Sequence, residues 1–261
     1  LREGGLLVEN LRVVDDTDQI VVDDITFTVR PGEVLAIAGV QGNGQTELTE
    51  AIIGLQRKLT GSISLDGEEL VGKTVKQIID EGVGFVPEDR KVEGLVGEFS
   101  VADNLILNRS SGAPFFAAAT LKRGVLREFA EEKIAEFDIR TQGPDLAAGR
   151  LSGGNKQKVV LARELSRDLK LFVASQPTRG IDVGSIEFVH KRIVATRDAG
   201  VPVIVVSTEL DEVSALADRI AVMYRGRIVG IVPGDAPREV LGLMMAGEKP
   251  PVAAADEEVT A

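Results

Sequence analysis

Apolar and polar residues alternate along the first thirty residues of the chain. Leu6–Val14 and Ile20–Val29 show the two-residue period of half-buried strands. The acidic stretch Asp15-Asp16-Thr17-Asp18 separates them as a turn, and Pro31-Gly32 makes a second one. The pattern then changes. Val34–Ala38 is apolar throughout, as in a strand covered on both faces. It feeds a glycine-rich stretch, after which residues 46–54 follow a helical period and stop at Gly54. Residues 61–65 read as a short strand closed by Asp66-Gly67. Val83–Val86 reads as another, ending at Pro87-Glu88-Asp89-Arg90.

From about residue 100 to 166 the apolar spacing is helical, over 101–108, 121–137 and 155–166, with a loop at 110–114. Short apolar runs return at 171–174, 203–206 and 220–224. A helix over 184–199 separates the first two, and a further helical stretch separates the last two. This alternation predicts a doubly wound parallel sheet. Arg225-Gly226 turns the chain into a hairpin strand at 227–232, and 237–246 reads as a final helix. Residues 249–261 are rich in Pro, Ala and acids and predict a disordered tail. No internal repeat is visible.

A length of 261 residues suits one large domain or two small ones. The net charge of −11 argues against direct nucleic-acid binding, which runs on basic contacts to phosphate, and against adsorption to anionic lipid. The chain has no cysteine, which excludes disulfides and thiolate-held metals and fits a reducing compartment. Its apolar runs are too short to span a bilayer, and the N-terminus lacks the shape of a signal peptide. Any link to a membrane is therefore expected to pass through another protein.

The candidate chemistry starts with the loop Gly39-Val40-Gln41-Gly42-Asn43-Gly44-Gln45-Thr46. It fits G-x-x-x-x-G-K-[ST], in which backbone N–H groups cradle phosphate, Lys reaches the outer phosphates and Ser/Thr holds Mg²⁺. Gly39, Gly44 and Thr46 stand at template positions, and Gly42 and Asn43 lie between them. The Lys position holds Gln45, followed by Glu47. The second motif is Leu151-Ser152-Gly153-Gly154-Asn155-Lys156-Gln157. Ser152 suits a helix N-cap, and a capped helix start with flanking glycines can receive an anion.

Together with the strand at 171–174, these motifs resemble the nucleotide-binding domain of an ABC transporter over residues 6–247. Three segments narrow the resemblance: residues 42–48, Pro87-Glu88-Asp89-Arg90-Lys91, and Gln176-Pro177-Thr178-Arg179-Gly180-Ile181-Asp182. They look like the C-terminal, degenerate one of two ATPase halves in bacterial simple-sugar and nucleoside importers, and Gly-Asn-Gly-Gln leans towards the nucleoside group. The resemblance implies an α/β fold: a RecA-like P-loop core with an antiparallel β edge subdomain and an inserted helical subdomain. One nucleotide-binding domain would cover residues 1–248, with the helical part at about 98–166. ATP and Mg²⁺ are the implied ligands. The implied partners are a second, active ATPase half, fused or separate, and membrane-spanning permease subunits. An extracytoplasmic solute-binding protein would act indirectly. The implied location is the cytoplasmic face of the plasma membrane, reached through the permease, whose route runs through Glu88–Gly97. The start Leu1-Arg2-Glu3 fits excision from a longer protein.

Departures from the family pattern are as informative as the matches. Ser175-Gln176 stands where Asp-Glu would support Mg²⁺ and polarise water. Thr208 replaces the switch histidine, and Glu88 replaces the Gln-loop glutamine. The stretch 11–18 lacks an aromatic to stack on adenine. Neither Ser nor Gln can act as a carboxylate base, and Thr offers no imidazole. The site on this chain's own loop is therefore expected to bind ATP weakly, with Thr46 a weak metal ligand, and to hydrolyse it slowly or not at all. Ser152, Gly153, Gly154 and Asn155 are intact and would complete the partner's ATP site. Asp182 would either contact the opposite half or cap a helix. His190, the single histidine, reads as a solvated or packing residue, and Phe115-Phe116 as core packing, with contact to a partner as the alternative. Two alternatives stay open at this point: a self-competent ATPase, and a regulatory ABC protein outside transport.

Overall fold

A computed structural model describes residues 4–109 and 112–250. The tail predicted at 249–261 and the loop predicted at 110–114 lie partly outside the described residues. β1 (Leu6–Val14) and β2 (Ile20–Val29) pair antiparallel, with Leu6 opposite Val29 and Val14 opposite Ile20. Asp15 holds the turn between them, accepting from the N–H groups of Thr17 (2.8 Å) and Gln19 (2.9 Å). β3 (Val34–Ala38) and α1 (Gln45–Ile52) follow. β4 (Leu59–Leu65) pairs with the other edge of β1, and β5 (Glu68–Glu69) with β4, giving a sheet of order β2-β1-β4-β5. This is the expected antiparallel edge.

The short helix α2 (Val75–Asp80) shows no clear period in the sequence. A reciprocal capping box between Thr74 and Gln77 starts it. β6 (Val83–Val86) leads to one turn of π-helix at Arg90–Gly94. The helix expected at 101–108 is only α3 (Val101–Asn104). Asn104 is fully buried and bonds its amide to the carbonyls of Val96 and Ser100, at 3.0 Å each. Beyond Asn104 the chain tightens into turns, with the N–H groups of Ile106 and Leu107 donating to the carbonyls of Asp103 (3.3 Å) and Asn104 (3.4 Å), three residues back. The helix expected at 121–137 starts later, because Leu121 pairs with Phe116 in a hairpin of β7 (Phe116–Ala117) and β8 (Thr120–Leu121). The helix itself is α4 (Arg123–Glu136).

The remaining elements are α5 (Gly153–Leu165), β9 (Leu171–Ser175), α6 (Val183–Asp198), β10 (Val203–Ser207), α7 (Leu210–Leu216), β11 (Arg219–Tyr224), β12 (Arg227–Pro233) and α8 (Arg238–Met245). The second sheet has the order β12-β11-β3-β10-β9-β6. β11, β3, β10 and β9 run parallel, and β12 turns back antiparallel to β11. All five residues of β3, β9 and β10 are buried, which accounts for their unbroken apolar runs.

The described chain forms two compact units. One consists of residues up to Phe85, Leu169–Gln176 and the part from Arg192 onward; the other of Val86–Asp168 and Pro177–Lys191. In the first unit β3 feeds two cores. Leu35 and Ile37 join Leu48 and Ile52 of α1 and the first sheet, while Ala36 and Ala38 face Val213 of α7 and Leu241 and Met244 of α8. The second unit has its own aromatic packing. Phe115 is buried and meets Phe129 edge-on at 4.9 Å, and Phe137 meets Phe188 at 6.3 Å. Among the described residues no helix is long and apolar enough to cross a membrane.

Candidate functional site

The glycine loop lies in the first unit, between the end of β3 and the start of α1. Gly39 (φ 155°), Gly42 (φ 90°) and Gly44 (φ 99°) all have positive φ. Two of them also stand where a side chain would collide. A Cβ at Gly44 would fall 2.4 Å from the Val21 carbonyl oxygen, and one at Gly39 would fall 2.6 Å from Gln45 Nε2. Asn43 ties the loop to the β11–β12 turn: its Oδ1 accepts from the Arg225 N–H (2.7 Å) and its carbonyl from the Gly226 N–H (2.9 Å).

Gln45 closes this loop on itself. Its side chain is buried, Oε1 accepts from the Asn43 N–H at 3.0 Å, and Nε2 donates to the Val40 carbonyl at 3.0 Å. Asn43 Nδ2 donates to the same carbonyl at 2.7 Å. A backbone N–H of the kind that cradles phosphate is thus already engaged by a neutral amide oxygen. Thr46 is exposed, and Glu47 puts an acid in the first turn of α1.

Ser175 and Gln176, at the end of β9, are both buried. Gln176 adopts a left-handed φ of 48°, donates its N–H to the Val206 carbonyl (2.7 Å) and accepts from the Thr208 N–H through Oε1 (3.3 Å). The structure brings Gln176 and Thr208 together, and Ser175, Gln176 and Thr208 supply no base and no metal-binding carboxylate. Among the described residues there is also no cluster of three or more His, Asp or Glu side chains suited to a metal. Gln45 thus offers a magnesium nucleotide no cation, and Ser175 and Gln176 offer it no carboxylate. A cleft of about 490 Å³ lies elsewhere in the first unit, along residues 51–59 and 70–75, and contains none of the motif residues.

The signature segment lies in the second unit, at the start of α5. Ser152 is the N-cap, and its Oγ receives Asn155 Nδ2 at 2.8 Å and the Asn155 N–H at 3.4 Å. Both groups are donors, so the hydroxyl proton is left to give to an acceptor. Asn155 Oδ1 in turn accepts from the Arg140 N–H at 2.9 Å. A second cleft, about 410 Å³, opens beside Ser152 and Asn155.

Gly153 and Gly154 have neighbours that leave no room for a side chain. A Cβ at Gly153 would lie 2.9 Å from Arg90 Nη2, and one at Gly154 would lie 2.1 Å from Ser185 Oγ and 2.8 Å from Asp182 Oδ2. Asp182 caps α6. Its carboxylate accepts from the Ser185 hydroxyl (2.7 Å) and N–H (3.0 Å), and these bonds, the hydroxyl first, hold its pKa below the usual Asp range.

Sequence reasoning gave no role to Arg90 or Arg179. In the structure Arg90 donates to the carbonyls of Arg179 (2.7 Å) and Gly180 (3.2 Å), and Arg179 pairs with Glu88. Glu88, an acid at a position that departs from the family pattern, is the signal that points to this pair.

The comparisons with known proteins agree in kind. The ABC transporter family pattern matches residues 22–179. The guanosine import ATP-binding protein NupO of Bacillus subtilis is 42% identical over 93% of this chain and 48% of its own length. The glucose import ATP-binding protein TsgD13 of Haloferax volcanii is 44% identical over 98% of this chain and 47% of its own length. The chain thus spans about half the length of the curated relatives it matches. Among solved structures, a nucleotide-free ATP-binding cassette from an ABC transporter superposes with a TM-score of 0.74 at 21% identity, covering 92% of this chain and 95% of that one. The dimeric structure of MJ0796, a bacterial ABC transporter cassette, gives 0.75 at 18% identity, covering 89% and 100%. At these identities the superpositions establish the fold alone.

Proposed function

This chain belongs to the ABC transporter family, and from that premise we propose that it is one ATP-binding half of an importer for a nucleoside or a sugar. The relatives' names support the solute class, since they specify guanosine, nucleoside and glucose import. In this reading residues 1–248 are one nucleotide-binding domain with a helical subdomain at about 98–166. The chain acts at the cytoplasmic face of the membrane, against permease subunits that receive solute from an extracytoplasmic binding protein. Its own loop holds ATP and Mg²⁺ weakly. Its signature segment completes the ATP site of a second, active half, fused to it or separate.

One contrast carries the reading. In the glycine loop, Gln45 spends an N–H of the cradle on its own side chain. At the signature, Asn155 supplies donors to Ser152 and leaves the serine proton for an outside acceptor. The first arrangement disfavours a bound phosphate, and the second favours one brought by another chain. At the signature, this chain's residues would do two things for that phosphate: donate the Ser152 proton and present the N-terminal N–H groups of α5 where negative charge builds up.

The test is a pair of substitutions in the reconstituted importer. Ser152→Ala should lower ATPase turnover at least tenfold, as loss of a positioned donor to developing charge does, typically by about 10²–10³. Gln45→Ala should have a much smaller effect. The reverse ranking would refute the assignment.

A further inference from the structure

Three motifs meet in the second unit: Glu88-Asp89-Arg90, the signature segment at Ser152-Gly153-Gly154, and Arg179-Gly180-Ile181-Asp182. Arg90 lies at their junction. Its two terminal nitrogens donate to consecutive carbonyls, Arg179 at 2.7 Å and Gly180 at 3.2 Å. Its Nε is buried without a partner among the described residues, and burial pushes the guanidinium pKa down. A desolvated cation of this kind stays in place because its fork matches the carbonyls it holds. Gly153 is close enough that a Cβ there would strike this guanidinium. The segment is tied at its other end as well. Arg163 of α5, itself buried, donates to the Gly94 carbonyl at 2.6 Å.

Glu88 gives the junction its specificity. In the family pattern this position carries a neutral amide. Here it carries a charge, and the opposite charge stands at Arg179, 91 residues away in sequence. The Glu88 side chain is 22% exposed and that of Arg179 55%, so the acid is held in a half-buried place while its partner reaches it from the solvent side.

We propose that Glu88, Arg90 and Arg179 form a standing clasp that links the 88–94 segment to the 179–182 loop beside the signature, and that this clasp does the coupling for which an active half uses its own nucleotide. The proposal rests on the importer reading above. In that setting the partner's ATP draws on Ser152 and its neighbours, and the clasp carries the movement into the 88–94 segment on the permease route. The change of Gln to Glu at position 88 is then a replacement of one link by another. A half with an impaired loop can still transmit closure, because the link is made of side chains and not of a ligand.

The experiment uses the full-length protein reconstituted with its permease in vesicles, with loaded solute-binding protein as the stimulus. The readout is the ratio of stimulated to basal ATPase. Glu88→Arg and Arg179→Glu should each bring this ratio down to about one. The double reversal should restore at least half of the lost stimulation, which general damage to the fold would not. Unchanged ratios in the single variants, or a double variant that stays uncoupled, would overturn the proposal. In the same preparation, Arg90→Gln should speed amide exchange at residues 179–182 at least tenfold, and unaltered exchange would mean that no clasp exists. Ser152→Ala judges the importer reading separately. If it leaves ATPase intact while the charge reversal still rescues coupling, the reading of the signature fails and the clasp survives.

Discussion

At the scale of single residues, the five departures from the active-ATPase pattern do not all mean the same thing. Gln176 and Thr208 bond to one another through an amide oxygen and a backbone N–H, which yields neither a base nor an imidazole. Ser175 is buried at a strand end with only a hydroxyl to offer. Gln45 fills the cradle of its own loop, and Glu88 is held by Arg179. Residue identity made the missing groups legible, because a lost Lys or carboxylate is a fact of the sequence. It could not show what the replacements bond to, since those partners lie 32 residues away for Gln176 and 91 for Glu88, or depend on a rotamer as for Gln45. A prediction follows for Gln45→Lys. The substitution removes the amide that engages Asn43 and adds a cation on a loop whose glycines are in place. A charge-assisted hydrogen bond contributes about 1.5–3 kcal/mol, so ATP affinity should rise roughly ten- to a hundredfold. Hydrolysis should not return, because Gln176 and Thr208 are unchanged. Calorimetric titration together with a phosphate-release assay checks both parts, and an unchanged affinity would mean that the loop no longer approaches phosphate.

Elements were the most legible level where a period could build up. β1, β2, β3 and β6 coincide with the predicted bounds, because alternation or continuous burial marks each of them. Short or locally governed pieces were not legible. α2 depends on a capping box, α3 passes after one turn into three-residue turns, and β8 takes Leu121 away from the following helix. The start of α5 shows a double constraint. Gly153 and Gly154 read as flexible anion-binding residues, yet both also leave room for Arg90, Ser185 and Asp182 within this chain. Gly154→Ala should therefore lower the melting temperature of the chain by several degrees, apart from any effect on nucleotide. The cap of α6 gives a pH-dependent counterpart. Because folding depresses the Asp182 pKa, its stabilisation is complete above its unfolded value, near 4, and fades as pH falls through the lower folded value. Asp182→Ala should melt earlier than the unmodified chain at pH 7, and the gap should narrow below about pH 4. Thermal denaturation at several pH values measures this, and a gap that widened in acid would contradict the sign.

At the scale of the whole molecule, the division of labour predicts how turnover depends on company. The fold class was legible because strands and helices alternate around two glycine motifs in a fixed order, and the solved cassettes share that architecture. What such a molecule does alone is a separate matter. Its loop lacks the phosphate cation and the base, so the isolated chain at saturating Mg-ATP should release phosphate far more slowly than about 1 per second, near the low end of ordinary enzymes. Restoring the chemistry in full, with Gln45→Lys, Ser175→Asp, Gln176→Glu and Thr208→His together, should give only conditional activity. In the proposed arrangement each ATP needs a loop from one half and a signature from another, and this chain carries one of each. Two copies of the restored chain could then serve each other, while a single copy could not. Turnover per chain should accordingly rise with chain concentration and level off once pairs predominate, as any assembly governed by mass action does. A dilution series of the restored chain tests this directly. Turnover independent of concentration would mean that one copy completes its own site, and the lent signature would have to be abandoned.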